Sequence, residues 1–229
     1  MAIAGLIGGL GPETTVDYYR RIIAAWQADD PTTAPSLIID SIDVQKVFRL
    51  VAADRAQLAD YLSESVQRLA SAGADFGAIT ANMPHLVFDT LQERSPIPLV
   101  SIVETCAEEA EHRALKRVAL LGTRATMEAP MYPDALRRHG IDTVLPIASE
   151  QTFIHDHYVG EMIKGVFRDD VRERVIAIVT RLRDAERVDG VILGGTELTL
   201  LLPTEAVAGV PALNTTALHV DAIVTRLRG

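Results

Sequence analysis

Cysteine is nearly absent from this chain of 229 residues, which contains only Cys106. One cysteine cannot form an intramolecular disulfide, and it supplies few of the ligands that a zinc site needs. A reducing compartment therefore fits the composition. Cys106 lies in an acidic helical pattern, Glu104–Glu109, whose carboxylates oppose thiolate formation, so we interpret it as a structural thiol.

Positive charge and long apolar runs are also scarce. The chain has 22 Lys and Arg against 31 Asp and Glu, a net charge of -9, which argues against a nucleic-acid partner. No apolar run approaches the roughly 20 residues that cross a bilayer, and Met1–Ile7 lacks the basic start of a signal peptide. We expect a cytoplasmic protein that binds neither nucleic acid nor membrane.

Strand and helix patterns alternate along the chain, whose length and 48% hydrophobic content permit one large core or two smaller ones. Short apolar runs typical of buried strands occur at Ile3–Ile7, Leu37–Ile39, Phe76–Ile79, Leu99–Val103, Val118–Leu121, Val144–Ile147, Val191–Leu193 and Pro211–Leu213. Apolar residues at helical spacing separate most of them, as in Leu58, Leu62, Val66 and Leu69. This alternation predicts an α/β fold with mostly parallel sheets.

Three blocks recur in the same order in the two halves. The matching pairs are Leu6–Thr15 with Leu120–Thr126, Ala74–Asn82 with Val188–Thr196, and Ile97–Thr105 with Val210–Thr216. The repeat predicts two Rossmann-like domains related by a pseudo-two-fold axis, residues 1–113 plus 213–229 and residues 114–212. Because ligands bind outside the carboxyl ends of parallel strands, we expect the site in the cleft between the domains.

A glycine-rich segment, Gly8–Thr15, follows the first predicted strand and opens a helix. The backbone amides of Gly9, Leu10 and Gly11 are candidates for binding a substrate carboxylate. A dinucleotide fingerprint would need a further glycine where Thr14 stands, so NAD is disfavoured. A purely structural tight turn is the alternative.

Polar residues also follow the third predicted strand. The hydroxyl of Thr80 could orient a carboxylate or a water, and Asn82, followed by Met83, offers both a donor and an acceptor. Helix capping is the alternative role for Asn82, and a β-branched strand end is the alternative for Thr80.

The equivalent place in the second half is Gly194–Leu198. There Gly195 and Thr196 would expose backbone amides and a hydroxyl to a ligand, and Glu197 supplies an acid. A capped helix with glutamate in its first turn is the alternative. Matched placement in two halves suits proton removal and return at one carbon.

Two charged segments carry weaker signals. His155-Asp156-His157 lacks a third metal ligand, and residues two apart on a helix point to different sides, so we expect no metal. Lys164, just before Gly165, is either a carboxylate-binding cation or a helix C-terminal charge.

The motifs together resemble those of the aspartate/glutamate racemase superfamily over nearly the whole chain. Gly8–Thr15 with Tyr18-Tyr19 resembles its amino-terminal signature, Asn82 with His85 its Cys-Asn-Thr-x-His block, and Gly194–Leu198 its Gly-Cys-Thr-Glu block. The resemblance implies an isomerase without a cofactor, commonly a homodimer, acting on an amino acid or small carboxylate. It implies that two cysteines flank the α-carbon, one removing a proton and the other returning one.

Both cysteine positions are substituted in this sequence. The resemblance places Thr80 or its neighbour Ala81 at the first, with Thr80 taken as the match, and Gly195 at the second. A threonine hydroxyl is too weak an acid to act as an unaided base, and glycine has no side chain. A two-thiol racemisation therefore cannot proceed in this chain.

The family's carboxylate-binding arginine and lysine are displaced as well. Phe48 and Ile163 stand at those positions, with Arg49 and Lys164 beside them. Unless these neighbours substitute, the resemblance implies carboxylate binding by backbone amides and by the hydroxyls of Thr123 and Thr196.

Three functions remain open at this point. The first is a racemase-like isomerase, in which the thiol roles are reduced or the cysteines have been replaced. The second is a lyase, decarboxylase or cis-trans isomerase of a small acid, with water, Glu197 or a histidine moving the proton. The third is an inactive carboxylate-binding protein.

Overall fold

The computed structural model describes the backbone of residues 1–229 and every side chain except that of Pro12. The chain divides into two compact units, residues 1–102 with 219–229, and residues 103–218. The sequence pattern places these divisions at 113/114 and 212/213. Helix 102–112 joins the second unit through contacts of Glu104 with Arg138 and of Glu111 with His139.

The first unit is built on a four-stranded parallel sheet. Its strands are β1 (Ile3–Gly8), β2 (Ser36–Ser41), β3 (Phe76–Ile79) and β4 (Leu99–Val100), in the order β2-β1-β3-β4. Its helices are α1 (Pro12–Asp29), α2 (Val44–Ala53), α3 (Arg55–Ser71) and α4 (Phe88–Arg94), with a 3-10 helix at Met83–Val87.

Side chains along β1 point alternately to the two faces of the sheet, and both faces are buried under helices. Leu6 packs in one cluster with α1 and with the last helix of the chain. Ile7 points to the opposite face and packs with the apolar stripe of α3, Leu58, Leu62, Val66 and Leu69. Asp54 caps α3 by accepting hydrogen bonds from the amides of the first turn.

The second unit repeats this arrangement. Its strands are β5 (Arg117–Gly122), β6 (Asp142–Val144), β7 (Gly190–Gly194), β8 (Ala206–Val207) and β9 (Val210–Asn214), in the order β6-β5-β7-β9-β8. Its helices are α5 (Ile102–His112), α6 (Arg124–Glu128), α7 (Met131–Arg138), α8 (Ala148–Gly160), α9 (Asp169–Glu186) and α10 (Thr196–Leu201), with a 3-10 helix at Met162–Lys164. Helix α11 (Thr215–Arg228) crosses from this unit into the first.

The predicted α/β class with mostly parallel strands is confirmed, since only β8 runs antiparallel to its neighbour. Two strand predictions have the wrong bounds. The predicted Leu99–Val103 is too long, because β4 ends at Val100 and α5 begins at Ile102. The predicted Val144–Ile147 is displaced, because β6 spans Asp142–Val144 and Ile147 precedes the first turn of α8. Within the described residues, no helix is long and apolar enough to cross a membrane.

Candidate active site

The glycine-rich turn after β1 is held by contacts within the turn and by Ile42, whose amide donates to the Gly8 carbonyl oxygen at 3.0 Å. Gly9 has a φ of 78°, and a Cβ there would lie 2.4 Å from the carbonyl oxygen of Ile42, so only glycine fits. Its amide donates to Thr15 Oγ1 at 2.9 Å, and Leu10 is buried in the core. Gly11, with a φ of 131°, precedes the first turn of α1. The tight-turn alternative therefore accounts for Gly9 and Leu10.

Thr80 fastens β3 to β1. Its side chain is fully buried, and its hydroxyl donates to the carbonyl oxygen of Ile7 at 3.0 Å. The Thr80 amide donates to the same oxygen at 3.1 Å. Because the hydroxyl hydrogen is committed to the backbone, Thr80 is poorly placed to move a substrate proton.

Strand register identifies the residue of the first unit that is equivalent to Gly195. The equivalent pairs in the two sheets are Ile7 with Ile79 and Leu121 with Leu193. Two residues after these pairs come Ala81 and Gly195. Counting back through Cys-Asn-Thr-x-His from His85 also reaches Ala81. The register thus favours Ala81 over Thr80 as the counterpart of Gly195.

Asn82 and Met83 lie where β3 gives way to the 3-10 helix. Asn82 is buried, and its side chain makes no capping hydrogen bond. The capping role is therefore not observed for this residue. Met83 is partly buried and packs against the core cluster that contains Ile7.

Tyr158 fills the space beside Gly195. A Cβ on Gly195 would lie 2.5 Å from Tyr158 Cε2 and 2.8 Å from Tyr158 Oη. Tyr158 projects from α8 and is 6% exposed. No side chain can occupy position 195 while the tyrosine ring remains there.

The Tyr158 hydroxyl and the Thr196 hydroxyl converge on one carboxylate oxygen. Tyr158 Oη donates to Glu197 Oε2, and Thr196 Oγ1 donates to the same atom at 2.8 Å. All three side chains are buried. Burial, reinforced by the charge of Glu197, raises the pKa of the Tyr158 phenol well above its ordinary value. The arrangement pairs a proton donor with a proton acceptor at the end of β7.

Of three further candidates, Thr123 directly follows β5, the neighbour of β7, and Lys164 and Arg49 lie on the surface. Thr123 is buried at the start of α6, where its hydroxyl accepts a hydrogen bond from the Thr126 amide at 3.3 Å. Lys164 is exposed at the end of its 3-10 helix, before Gly165 with a φ of 77°. Arg49 is exposed on α2 and lies 3.8 Å from Asp43. The structure shows capping by Thr123 and surface positions for the two cations.

Comparison with known proteins decides the family. The sequence profile of the Asp/Glu/Hydantoin racemase family matches residues 7–223. This chain belongs to that family. It is 24% identical over 208 residues to the broad specificity amino-acid racemase RacX of Bacillus subtilis, covering 86% of each chain.

Solved structures of racemase-like proteins share the fold over the full chain. A Yersinia pestis protein assigned as an Asp/Glu racemase superposes with a TM-score of 0.91 at 31% identity, with complete coverage of both chains. An aspartate racemase homologue from Pyrococcus horikoshii OT3 gives a TM-score of 0.85 at 30% identity, again with complete coverage. The chain is therefore an enzyme of the racemase family with its two-domain α/β architecture.

The lone thiol of this racemase-family chain lies within a helix and not at the end of a strand. Cys106 is fully buried in α5, and burial raises its pKa. Among the described residues, no cluster of three His, Cys, Asp or Glu side chains could hold a metal ion. The groups that the strand ends offer for proton transfer are oxygen acids and bases.

Two buried histidines of the first unit have both ring nitrogens engaged. His85 Nδ1 contacts the carbonyl oxygen of Ala81 at 2.9 Å, and its Nε2 accepts the Ile102 amide at 3.3 Å. His219 Nδ1 contacts Tyr18 Oη at 2.9 Å, and its Nε2 contacts the Val100 carbonyl oxygen at 3.1 Å. These contacts assign both rings to the neutral form and to a structural role.

The sequence motifs did not indicate Tyr158 as a functional residue. It lies 37 positions before Gly195, in a helical segment with no recognisable pattern. The one sequence feature that could point to a side chain beside position 195 is the glycine at that position. Gly195 has an extended φ of -161°, which any residue adopts, so its small size rather than its backbone requires an explanation.

Proposed function

We propose that this protein is a cofactor-independent isomerase that moves a proton at the carbon alpha to a carboxylate of an amino acid or small dicarboxylic acid. The observation that carries the proposal is the buried Glu197, which accepts hydrogen bonds from Tyr158 and Thr196 at the end of β7. Family membership and the racemase names of the relatives support the substrate class.

Glu197 supplies the base in this proposal. Removing an α-proton leaves an enolate-like charge on the substrate, and hydrogen-bond donors must stabilise that charge. The two hydroxyls on Glu197 Oε2 hold the carboxylate in one orientation.

Exchange of the α-proton in deuterated water tests the proposal. The enantiomers of aspartate, glutamate and other amino acids are each incubated with the protein after dialysis against a chelator, and loss of the α-proton is followed by NMR. We expect exchange of at least one acid without added cofactor. Glu197→Gln should slow it by about 10²- to 10⁴-fold, the usual effect of losing a general base.

Glu205→Gln is the matched control, since Glu205 is an exposed glutamate of the same unit. It should leave exchange unchanged. Exchange that is insensitive to Glu197→Gln would remove Glu197 from the mechanism, and no exchange with any acid would contradict the proposed function.

A lyase, decarboxylase or cis-trans isomerase is the second candidate. It is favoured by the first unit, where the Thr80 hydroxyl is bonded to Ile7, Ala81 carries only a methyl group, and the His85 nitrogens are engaged. A reaction that handles a proton on one face only needs no second base. Product analysis distinguishes the two: racemisation inverts either enantiomer, whereas these reactions release carbon dioxide or create or isomerise a double bond.

A further inference from the structure

Gly195 and Tyr158 are sterically coupled. The extended backbone at Gly195 suits any residue, so conformation does not explain the glycine. The Tyr158 ring does explain it, because Cε2, Oη and Cζ would lie 2.5, 2.8 and 2.9 Å from a Cβ at that position. The phenolic oxygen therefore lies 2.8 Å from the Cβ that a cysteine at position 195 would have.

The Tyr158 hydroxyl also has a partner that can receive its proton. Tyr158 Oη donates to Glu197 Oε2, and the same oxygen accepts Thr196 Oγ1 at 2.8 Å. Both Tyr158 and Glu197 are 6% exposed, so bulk water competes little for these bonds. Position, donor and acceptor are thus combined in one buried group.

We propose that Tyr158 takes the place of the missing second thiol and exchanges the proton with the substrate's α-carbon, while Glu197 takes up the tyrosine proton. The inference rests on the proposed function. In the forward step the Cα–H bond breaks and its proton bonds to Tyr158 Oη. The original Tyr158 O–H bond breaks as its proton passes to Glu197, and the electron pair remains on the substrate as an enolate. Reversal returns a proton to carbon.

Coupling the two transfers is chemically necessary. The phenol holds its proton tightly in this buried site, because burial and the Glu197 charge both oppose a phenolate. Tyr158 can therefore accept a proton from carbon only as it gives its own to Glu197. The net result of the step is one proton on Glu197, and in deuterated water this proton must exchange with solvent before reversal returns a deuteron to carbon.

Removing the hydroxyl alone is the first test. Tyr158→Phe keeps the ring beside Gly195, and we expect it to slow α-proton exchange by about 10²-fold or more, with the loss in kcat rather than in KM. Tyr132→Phe is the matched control, since Tyr132 is another fully buried tyrosine of the same unit, and it should leave exchange unchanged. Wild-type exchange that survives Tyr158→Phe would overturn this proposal and leave the proposed function standing.

A reciprocal exchange of residues is the sharper test. Gly195→Cys alone should abolish activity, because the new side chain meets the tyrosine ring. Tyr158→Ala alone should also be inactive. The double variant Gly195→Cys with Tyr158→Ala places a thiol in the vacated space, and we expect exchange at least about 10-fold above Tyr158→Ala. A folded double variant no more active than Tyr158→Ala would overturn the claim that Tyr158 takes the place of a thiol at position 195.

Stability provides a readout that does not depend on activity. Gly195→Ala should lower the denaturant midpoint, and adding Tyr158→Ala should recover part of that loss, because the two side chains compete for one space. Additive losses would overturn the steric claim. If the wild-type protein exchanges the α-proton of no acid, both the proton-transfer step and the proposed function are wrong. The stability measurements would still test the steric coupling between Gly195 and Tyr158.

Discussion

The hydroxyl of Thr80 shows how a single side-chain contact separates a structural role from a catalytic one. It donates to the Ile7 carbonyl oxygen inside a fully buried strand end. Thr80→Val should therefore lower the free energy of unfolding by about 1 kcal/mol, the usual loss for one buried hydrogen bond. Exchange of the substrate α-proton should persist, because the hydroxyl does not move a proton. Denaturant unfolding and NMR exchange measure the two effects.

Thr80→Ser provides the control, since it retains the hydroxyl and removes only a methyl group. It should recover the hydrogen bond to Ile7 that the valine variant lacks. Loss of exchange in the valine variant with recovery in the serine variant would contradict the structural assignment. That result would return Thr80 to the proton-transfer machinery.

Single residues also mark the limit of sequence reasoning about the site. Glu197 was predictable, because an acid following two glycines at a strand end forms part of a recognisable motif. Tyr158 was not, because its contact with Gly195 depends on how α8 packs against the end of β7. A strand-end motif identifies its own residues and not the side chain that another helix brings beside it.

Secondary-structure elements were predictable where the pattern was long. The spacing of Leu58, Leu62, Val66 and Leu69 indicates α3, and all four side chains are buried in the structure. Short runs were less informative, since apolar residues at a helix start resemble a strand. Ile102 and Val103 begin α5, but their apolar side chains led the predicted strand to include them. The two-residue strand β8 is too short to give a periodic pattern.

His219 links three elements of the first unit and predicts how its stability depends on pH. It joins α11 to Tyr18 of α1 and to Val100 of β4. Burial lowers the pKa of His219 to about 4, well below the value of about 6.5 in an unfolded chain. Below about pH 6.5 the unfolded state binds more protons, so stability falls as the pH falls toward 4.

His219→Gln should remove the part of the pH dependence of unfolding that comes from protonation of this one imidazole. Between about pH 7.5 and pH 5 the wild-type protein should lose roughly 2 kcal/mol more stability than the variant, as followed by urea unfolding. His112→Gln is the control, because the His112 side chain is 83% exposed. Equal pH dependence in wild type and His219→Gln would contradict the assignment.

At the scale of the whole molecule, the racemase-family fold contains two sheets in which four strands follow the same order, β2-β1-β3-β4 and β6-β5-β7-β9, with β8 added to the second sheet. The repeat in the sequence anticipated this order, because matching blocks in each half form the equivalent strands β1 and β5, and β3 and β7. The reaction was harder to anticipate. In our proposal it depends on buried oxygen groups, those of Tyr158, Thr196 and Glu197, whose contacts form only after the chain has folded.

The central claim is that this molecule moves an α-proton without any thiol, and a cysteine-free protein tests it directly. Cys106→Ala removes the single, buried thiol from α5. The measurement is the rate of α-proton exchange in deuterated water, for the acid that the wild-type protein turns over. We predict equal rates for the variant and the wild type. Loss of exchange in a folded Cys106→Ala protein, or no exchange by either protein, would contradict the account.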